Sequence, residues 1–136
     1  MIPARLRQAF SNTRYRVQSP SGAFVLQVGR RSAALAHSPR AARQSSVLVT
    51  AWNPAGRRRG LAANRAAQRR FGQRLRAWGI SSWPTLAQDP KRLWPDERGA
   101  LLFGVPQGLA AELGRALGQR AVLYIGMDAV PRLLWL

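Results

Sequence analysis

Hydrophobic and polar residues alternate in two short segments near the start of the chain, residues 13–18 and 23–28, and a Ser-Pro-Ser-Gly sequence separates them. Alternation with a period of two is typical of strands, and Pro, Ser and Gly favour turns. The pattern predicts a β-hairpin. Residues 46–52 then contain a continuous apolar run, which indicates a strand that is covered on both faces.

Two later segments show the helical period. From residue 61 to residue 78, apolar residues recur at steps of four, four and three, and arginines repeat at a similar spacing on another face. A second apolar stripe follows Pro106, a residue type that favours the first helical position, and ends near Gly118. These patterns predict helices over residues 61–78 and 106–118. The apolar stripe of the first helix comprises Ala67, Phe71, Leu75 and Trp78.

Short strands are also predicted at residues 80–83, 100–105, 121–125 and 132–135, with a proline-containing connection after the first of them. A chain of 136 residues suits a single domain, residues 1–136. The alternation of strands and helices predicts an α/β (α+β) fold, in which two main helices pack on one face of a mixed β-sheet of about five to seven strands. Residues 29–45 contain mostly Arg, Ala and Ser, and we expect them to form a flexible basic loop with little to bury.

The charge of the chain limits the classes of molecule that it is expected to bind. Twenty-two Lys and Arg residues face only five Asp and Glu residues, which gives a formal net charge of +17. A genome rich in G and C explains arginine in place of lysine, but it does not explain the scarcity of acids. A protein with this excess attracts polyanions at long range, and the expected partner is nucleic acid, RNA or DNA, or another polyanion.

Several classes of function are disfavoured. The chain has no cysteine and one histidine, so it offers no thiolate, no disulfide and no set of close metal ligands, and we expect neither a metal nor a cofactor. The single histidine, His37, falls in the predicted loop, where a Ser-His-Asp triad would lack the rigid support that it needs. The first ten residues lack the apolar core of a secretory signal, and we expect a cytoplasmic protein without membrane spans.

The segment Thr-Ala-Trp-Asn-Pro, residues 50–54, has the best claim to a site. It follows a predicted strand and precedes three consecutive arginines and the predicted N-terminus of the first helix, where free N–H groups attract anions. The alternative is structural: Thr50 and Asn53 satisfy the turn, Trp52 packs, and the arginines are solvated.

These residues resemble a bacterial family of small stand-alone proteins, the domain of unknown function DUF3293. The resemblance lies in Thr-Ala-Trp-Asn-Pro, in Trp-Pro-Asp-Glu at 94–97 before Leu-Leu-Phe-Gly, and in Leu-Gly-Gln-Arg-Ala-Val at 117–122, and it covers roughly residues 47–134. It implies a small α/β domain but no activity. The matching polar positions are Thr50, Asn53, Asn64, Glu97 and Gln119.

The favoured hypothesis is a non-enzymatic module that binds a nucleic acid backbone, with Trp52, Trp83 and Trp94 available for base stacking if they are exposed. One alternative is an enzyme or sensor for a small phosphorylated or nucleotide ligand, held at Thr50, Asn53 and Asn64 with Glu97 as general base. Another is a protein-assembly factor that pairs through residues 133–136. The candidate anion-binding residues are Arg30, Arg31, Arg40, Arg43, Arg57, Arg58, Arg59, Arg65, Arg69 and Arg76.

Overall fold

The computed structural model describes residues 2–40 and 43–136, which form seven strands and four helices in one domain. The helices are α1 (Ala4–Asn12), α2 (Ala33–Ala36), α3 (Leu61–Ala77) and α4 (Gln107–Ala116), with a short 3-10 turn at Pro54–Gly56. The strands are β1 (Arg14–Ser19), β2 (Gly22–Leu26), β3 (Ser46–Val49), β4 (Ser82–Gln88), β5 (Glu97–Phe103), β6 (Ala121–Ile125) and β7 (Pro131–Trp135).

The strands form one sheet in the order β2-β1-β4-β5-β3-β6-β7, and every adjacent pair is antiparallel. Strands β3 and β4 both run antiparallel to β5 between them, so helix α3 joins two parallel strands that are not neighbours. Helix α4 joins β5 and β6 in the same way around β3. This interleaving is the split β-α-β arrangement of ferredoxin-like folds. The predicted alternation of strands with the two main helices is confirmed. Because a third strand lies between each two parallel strands that a helix joins, no two neighbouring strands of the sheet are parallel.

The two main helices cover one face of the sheet, as expected. Phe71 and Leu75 of α3 and Leu113 of α4 pack against Val47 and Leu102 from the centre of the sheet. The opposite face curls, so that side chains of β1 and β6 meet in a second cluster with those of β3 and β5. We call this second surface the curled face. It carries the candidate site.

Some predicted boundaries and burials are wrong. Strand β4 extends through Pro84, which the sequence pattern assigns to the connection after residue 83. The pairing of β4 with β1 stops at Thr85, so the missing N–H of Pro84 removes no bond from that ladder. Trp78, which the sequence pattern assigns to the apolar stripe of α3, is 56% exposed and lies at the C-cap, one residue beyond the end of the helix at Ala77.

The sequence patterns did not predict α1 and α2. Helix α1 contains an apolar pair at Leu6 and Phe10 with helical spacing, which was a usable signal. Helix α2 lies inside the predicted flexible loop at 29–45, of which residues 41 and 42 fall outside the described residues. The hydroxyl of Ser32 caps α2 by accepting the N–H of Leu35, whose side chain is only 1% exposed. The segment therefore does bury a core residue, contrary to the prediction.

None of the helices in residues 2–40 and 43–136 is long and apolar enough to cross a membrane.

Candidate functional site

Asn53 is the centre of a buried polar network. It has left-handed backbone angles (φ 46°, ψ 59°), which asparagine tolerates better than most residues. Its Oδ1 accepts the backbone N–H of Arg59 at 2.8 Å and the side-chain amide of Asn64 at 2.9 Å. Its Nδ2 donates to Oε1 of Glu97 at 2.7 Å. One side chain thus connects strand β5, helix α3 and the loop of Arg57, Arg58 and Arg59, which we call the arginine loop.

The other matching polar positions support this centre. Oδ1 of Asn64 accepts the backbone N–H of Asn53 at 3.0 Å. The hydroxyl of Thr50 donates to the carbonyl of Arg98 at 2.5 Å and accepts the N–H of Trp52 at 3.0 Å. Gln119 donates to the carbonyl of Trp52 at 3.0 Å. The structure therefore brings together all five positions: Thr50, Asn53, Asn64, Glu97 and Gln119.

Glu97 is the charged member of the network. Its Oε1 also accepts the indole N–H of Trp94 at 2.6 Å, so two N–H donors fix the same oxygen. Within the described residues no Lys or Arg lies within ion-pair distance of Glu97, although the chain carries 22 of them. The ion pair found there joins Arg132 and Asp128 on the surface. Glu97 is a half-buried carboxylate held by neutral donors.

Glu97 lines a cavity of about 280 Å³ on the curled face of the sheet. Most of its walls are apolar, with Leu48 from β3, Leu123 from β6 and Leu133 from β7. Helix α1 closes one side with Leu6 and Phe10. The polar groups on the walls include Thr50, Asn53, Glu97 and Gln119, whereas Asn64 lies behind Asn53.

Thr85 and Tyr15 are among the polar side chains of the cavity that the sequence analysis missed. The hydroxyl of Thr85 is buried without a hydrogen-bond partner among the described residues. Gly99 lies opposite Thr85 on the next strand, and a Cβ at that position would lie 2.8 Å from the Thr85 hydroxyl oxygen. Tyr15 is also buried, with an exposed fraction of 6%. Both residues lie in strands that the pattern predicted only approximately, so their shared face was not evident.

Burial raises the pKa of the Tyr15 phenol, and the negative charge of Glu97 raises it further. Asp89, also on the cavity wall, has a lowered pKa because its carboxylate accepts the backbone N–H groups of Lys91, Leu93 and Trp94. Asp89 therefore stabilises its own turn. Among the described residues there is no group of three His, Cys, Asp or Glu side chains that would hold a metal.

The cationic side chains all lie on the surface, and they form more than one group. Arg65, Arg69 and Arg76 lie on α3, which covers the helical face of the sheet, and Arg57, Arg58 and Arg59 lie in the exposed loop that precedes α3. Arg58 stacks over the ring of Trp94, 5.7 Å from its centre. Those around α2 lie on the opposite side of the sheet: Arg30, Arg31 and Arg40, with Arg43 following in the chain. The predicted set is thus divided between two surfaces.

The three tryptophans considered for base stacking differ in exposure. Trp52 is only 7% exposed, and Trp83 packs edge-on against Phe24 and Phe103 in the curled-face cluster. Trp94 is half-buried and lines the cavity. The buried ring of Trp52 therefore does not meet the condition for base stacking, whereas Trp83 and Trp94 are half-buried.

The sequence model of one protein family, described as "Protein of unknown function (DUF3293)", matches residues 49–122. No curated protein matches the chain. No solved structure matches it either. The matched segment begins at the end of β3 and ends in β6, so it includes α3, α4 and the whole polar network.

Proposed function

The chain belongs to the DUF3293 family of proteins of unknown function, and we propose that this bacterial member is a non-enzymatic module that binds the backbone of nucleic acids through arginines. A cytoplasmic location, expected from the sequence, would give it access to RNA and to DNA. The arginine surface that precedes and covers α3 would make the main contact. We call it the α3 surface and define it by Arg57, Arg58, Arg59, Arg65, Arg69 and Arg76.

One observation carries this proposal: α3 has five exposed arginines on 17 residues and no acidic residue. Neighbouring acids would neutralise such a helix, and here they are absent from it. The distance from Arg65 to Arg76 along the axis is about 16 Å, at 1.5 Å per residue. A rigid row of guanidinium groups of this length is suited to several successive phosphates.

The polar network supports the same role because it fixes the arginine loop. The backbone N–H of Arg59 is held by Asn53, and Arg58 is held against Trp94. A loop that is already ordered loses less conformational freedom when it binds. Thr50, Asn53 and Asn64 are occupied by internal hydrogen bonds, so they would position arginines rather than contact an anion themselves.

The test measures binding to structured RNA and to duplex DNA by fluorescence anisotropy over a series of salt concentrations. The triple variant Arg57/Arg58/Arg59→Ala removes three charges from the α3 surface. The matched control, Arg30/Arg31/Arg40→Ala, removes three charges from the opposite side of the sheet. The logarithm of the binding constant decreases as the logarithm of the salt concentration rises. We expect the magnitude of this slope to decrease by about 2 to 3 in the first variant, since each lost phosphate contact contributes about 0.7 to 0.9.

We expect the control variant to retain most of the slope. Equal losses in the two variants would mean that binding follows net charge and not the α3 surface. An affinity that does not change with salt would contradict phosphate binding altogether. Circular dichroism of each variant shows that the fold is retained.

A further inference from the structure

The cavity on the curled face combines a carboxylate inside with arginines beside it. Glu97 and Thr85 lie on its wall, and so does Arg120, whose guanidinium is exposed and donates to the carbonyl of Ala55 at 3.0 Å. Arg58 lies over Trp94, another residue of the wall. A ligand that satisfies both groups needs hydrogen-bond donors at one end and negative charge at the other.

The carboxylate of Glu97 can accept a further hydrogen bond through its second oxygen. The two N–H groups at 2.6 and 2.7 Å fix Oε1, and Oε2 accepts no hydrogen bond from the described residues. The buried hydroxyl of Thr85 also lacks a partner there. A buried polar atom without a partner is destabilising, and it is relieved when a ligand supplies the missing hydrogen bond.

The charge distribution selects the class of ligand. A simple organic amine would pair with Glu97, but the net charge of +17 repels it and the nearby arginines oppose it. A phosphorylated aliphatic molecule would suit the arginines but would leave Glu97 without a donor. A nucleotide has both features, because its base presents N–H donors on one edge and its phosphate is an anion.

We propose that the cavity binds a single guanine nucleotide, with the N1–H and exocyclic amino group of the base directed at Glu97 and the phosphate directed at Arg58 and Arg120. The volume of about 280 Å³ lies near the lower end of ligand cavities, which suits one base and not two. The base can belong to a free mononucleotide or to an unpaired nucleotide of a strand. In the second case the inference rests on the proposed function, since the α3 surface would hold the rest of the strand.

The direct test uses guanosine monophosphate and inosine monophosphate, which differ in the exocyclic N2 amino group. We expect the wild-type protein to bind guanosine monophosphate at least about tenfold more tightly, because a hydrogen bond to a charged acceptor is lost with inosine. Glu97→Gln should weaken the binding of guanosine monophosphate by a similar factor and should abolish the difference in affinity between the two nucleotides. The matched control is Glu112→Gln, which removes one exposed carboxylate of α4 and should bind like the wild type.

Equal affinities of the wild type for the two nucleotides would overturn the proposal, as would unchanged binding by Glu97→Gln. If Glu97→Gln does not fold, Thr85→Val provides the second test, and we expect it to weaken guanosine monophosphate severalfold. Undiminished binding by a folded Thr85→Val protein would then overturn the assignment.

A single-stranded oligonucleotide separates this proposal from the previous one. Strand binding that depends on Arg57, Arg58 and Arg59 but not on Glu97, by a protein that binds no guanosine monophosphate, would retain the backbone-binding role and overturn the base cavity. Binding of guanosine monophosphate through Glu97 by a protein that binds no strand would retain the cavity for a free nucleotide and overturn the backbone-binding role.

Discussion

The side-chain amide of Asn53 lies 2.7 Å from the carboxylate of Glu97 and joins it to the first turn of helix α3. The two residues are 44 positions apart in the chain, and helix α3 and strand β4 lie between them. Through this contact the arginine loop, the helix that follows it and the wall of the cavity form one structural unit. A change at Asn53 should therefore affect both the α3 surface and the wall of the cavity.

Asn53→Ala should lower the free energy of unfolding by about 2 to 4 kcal/mol. The variant loses the bonds to Glu97, Arg59 and Asn64, and alanine is less tolerant of the left-handed backbone at this position. Urea unfolding measures the change. Asn12→Ala, which loses only a weak contact of 3.4 Å with Gln8, should stay within about 0.5 kcal/mol of the wild type. Equal effects in the two variants would contradict the central role of Asn53.

Two threonines of the cavity should respond oppositely to the same substitution. Thr85→Val removes a buried hydroxyl that has no partner among the described residues, and it should leave stability unchanged or raise it by up to about 1 kcal/mol. Thr50→Val removes a hydroxyl that makes two hydrogen bonds, and it should cost about 1 to 3 kcal/mol. Thermal unfolding of both proteins tests the contrast, and a large loss in Thr85→Val would indicate an unrecognised partner.

Gly99→Ala should destabilise the protein and narrow the cavity. A Cβ at this position would lie 2.6 Å from the carbonyl oxygen of Val49 and 2.8 Å from the hydroxyl of Thr85, so strands β3 and β4 must shift. Overpacking of this kind costs about 1 to 3 kcal/mol. Gly108→Ala on α4 meets nothing within 4 Å and should instead stabilise the helix by about 0.5 to 1 kcal/mol. Chemical denaturation of the pair distinguishes local crowding from a general effect of alanine.

Leu35→Ala tests whether the basic segment is part of the domain. The side chain is 1% exposed and packs in the curled-face cluster, so its truncation should cost about 2 to 5 kcal/mol. Leu93→Ala is the control, because Leu93 is 77% exposed and its truncation should change stability by less than about 0.5 kcal/mol. If both variants unfold at the wild-type urea concentration, α2 does not contribute to the core.

Tyr15 should make the protein sensitive to alkaline pH. Burial raises the pKa of its phenol in the folded state above the ordinary value of 10.0, so the folded protein retains a proton that the unfolded chain releases. The stability due to Tyr15 is complete below pH 10 and falls as the pH rises above it. Absorbance at the wavelength of tyrosinate, compared between Tyr15→Phe and Tyr124→Phe, assigns the late ionisation. Ionisation of Tyr15 at or below pH 10 in the folded protein would contradict its burial.

Local sequence pattern was sufficient for the elements whose periodicity is strong. The run Val47, Leu48 and Val49 is buried on both faces and forms the interior strand β3, as predicted. Phe71 and Leu75 place the apolar stripe of α3 against the sheet. In these cases one element contains both its polar and its apolar side, so the sequence of that element indicates how it packs.

Composition was misleading where a single residue decides the outcome. Leu35 is the one large apolar side chain among the arginines, alanines and serines of residues 29–40, and it is enough to anchor α2. Leu6 and Phe10 anchor α1 in a comparable way, through contacts with the cavity and with Trp135. A helix this short is stabilised by its tertiary contacts more than by its own propensity, so the average composition of the segment does not reveal it.

The sequence by itself determined the charge of this protein, the order of its strands and two main helices, and the identities of the five polar residues that resemble the family. Only the tertiary structure decided that Asn53, Asn64 and Glu97 meet, that Thr85 faces the same cavity, and that the arginines divide between two surfaces. The physical reason is that charge and periodicity are local properties of a chain. Contacts between distant residues depend on which strands pair, and here the interleaving of β5 between β3 and β4 brings Glu97 to Asn53.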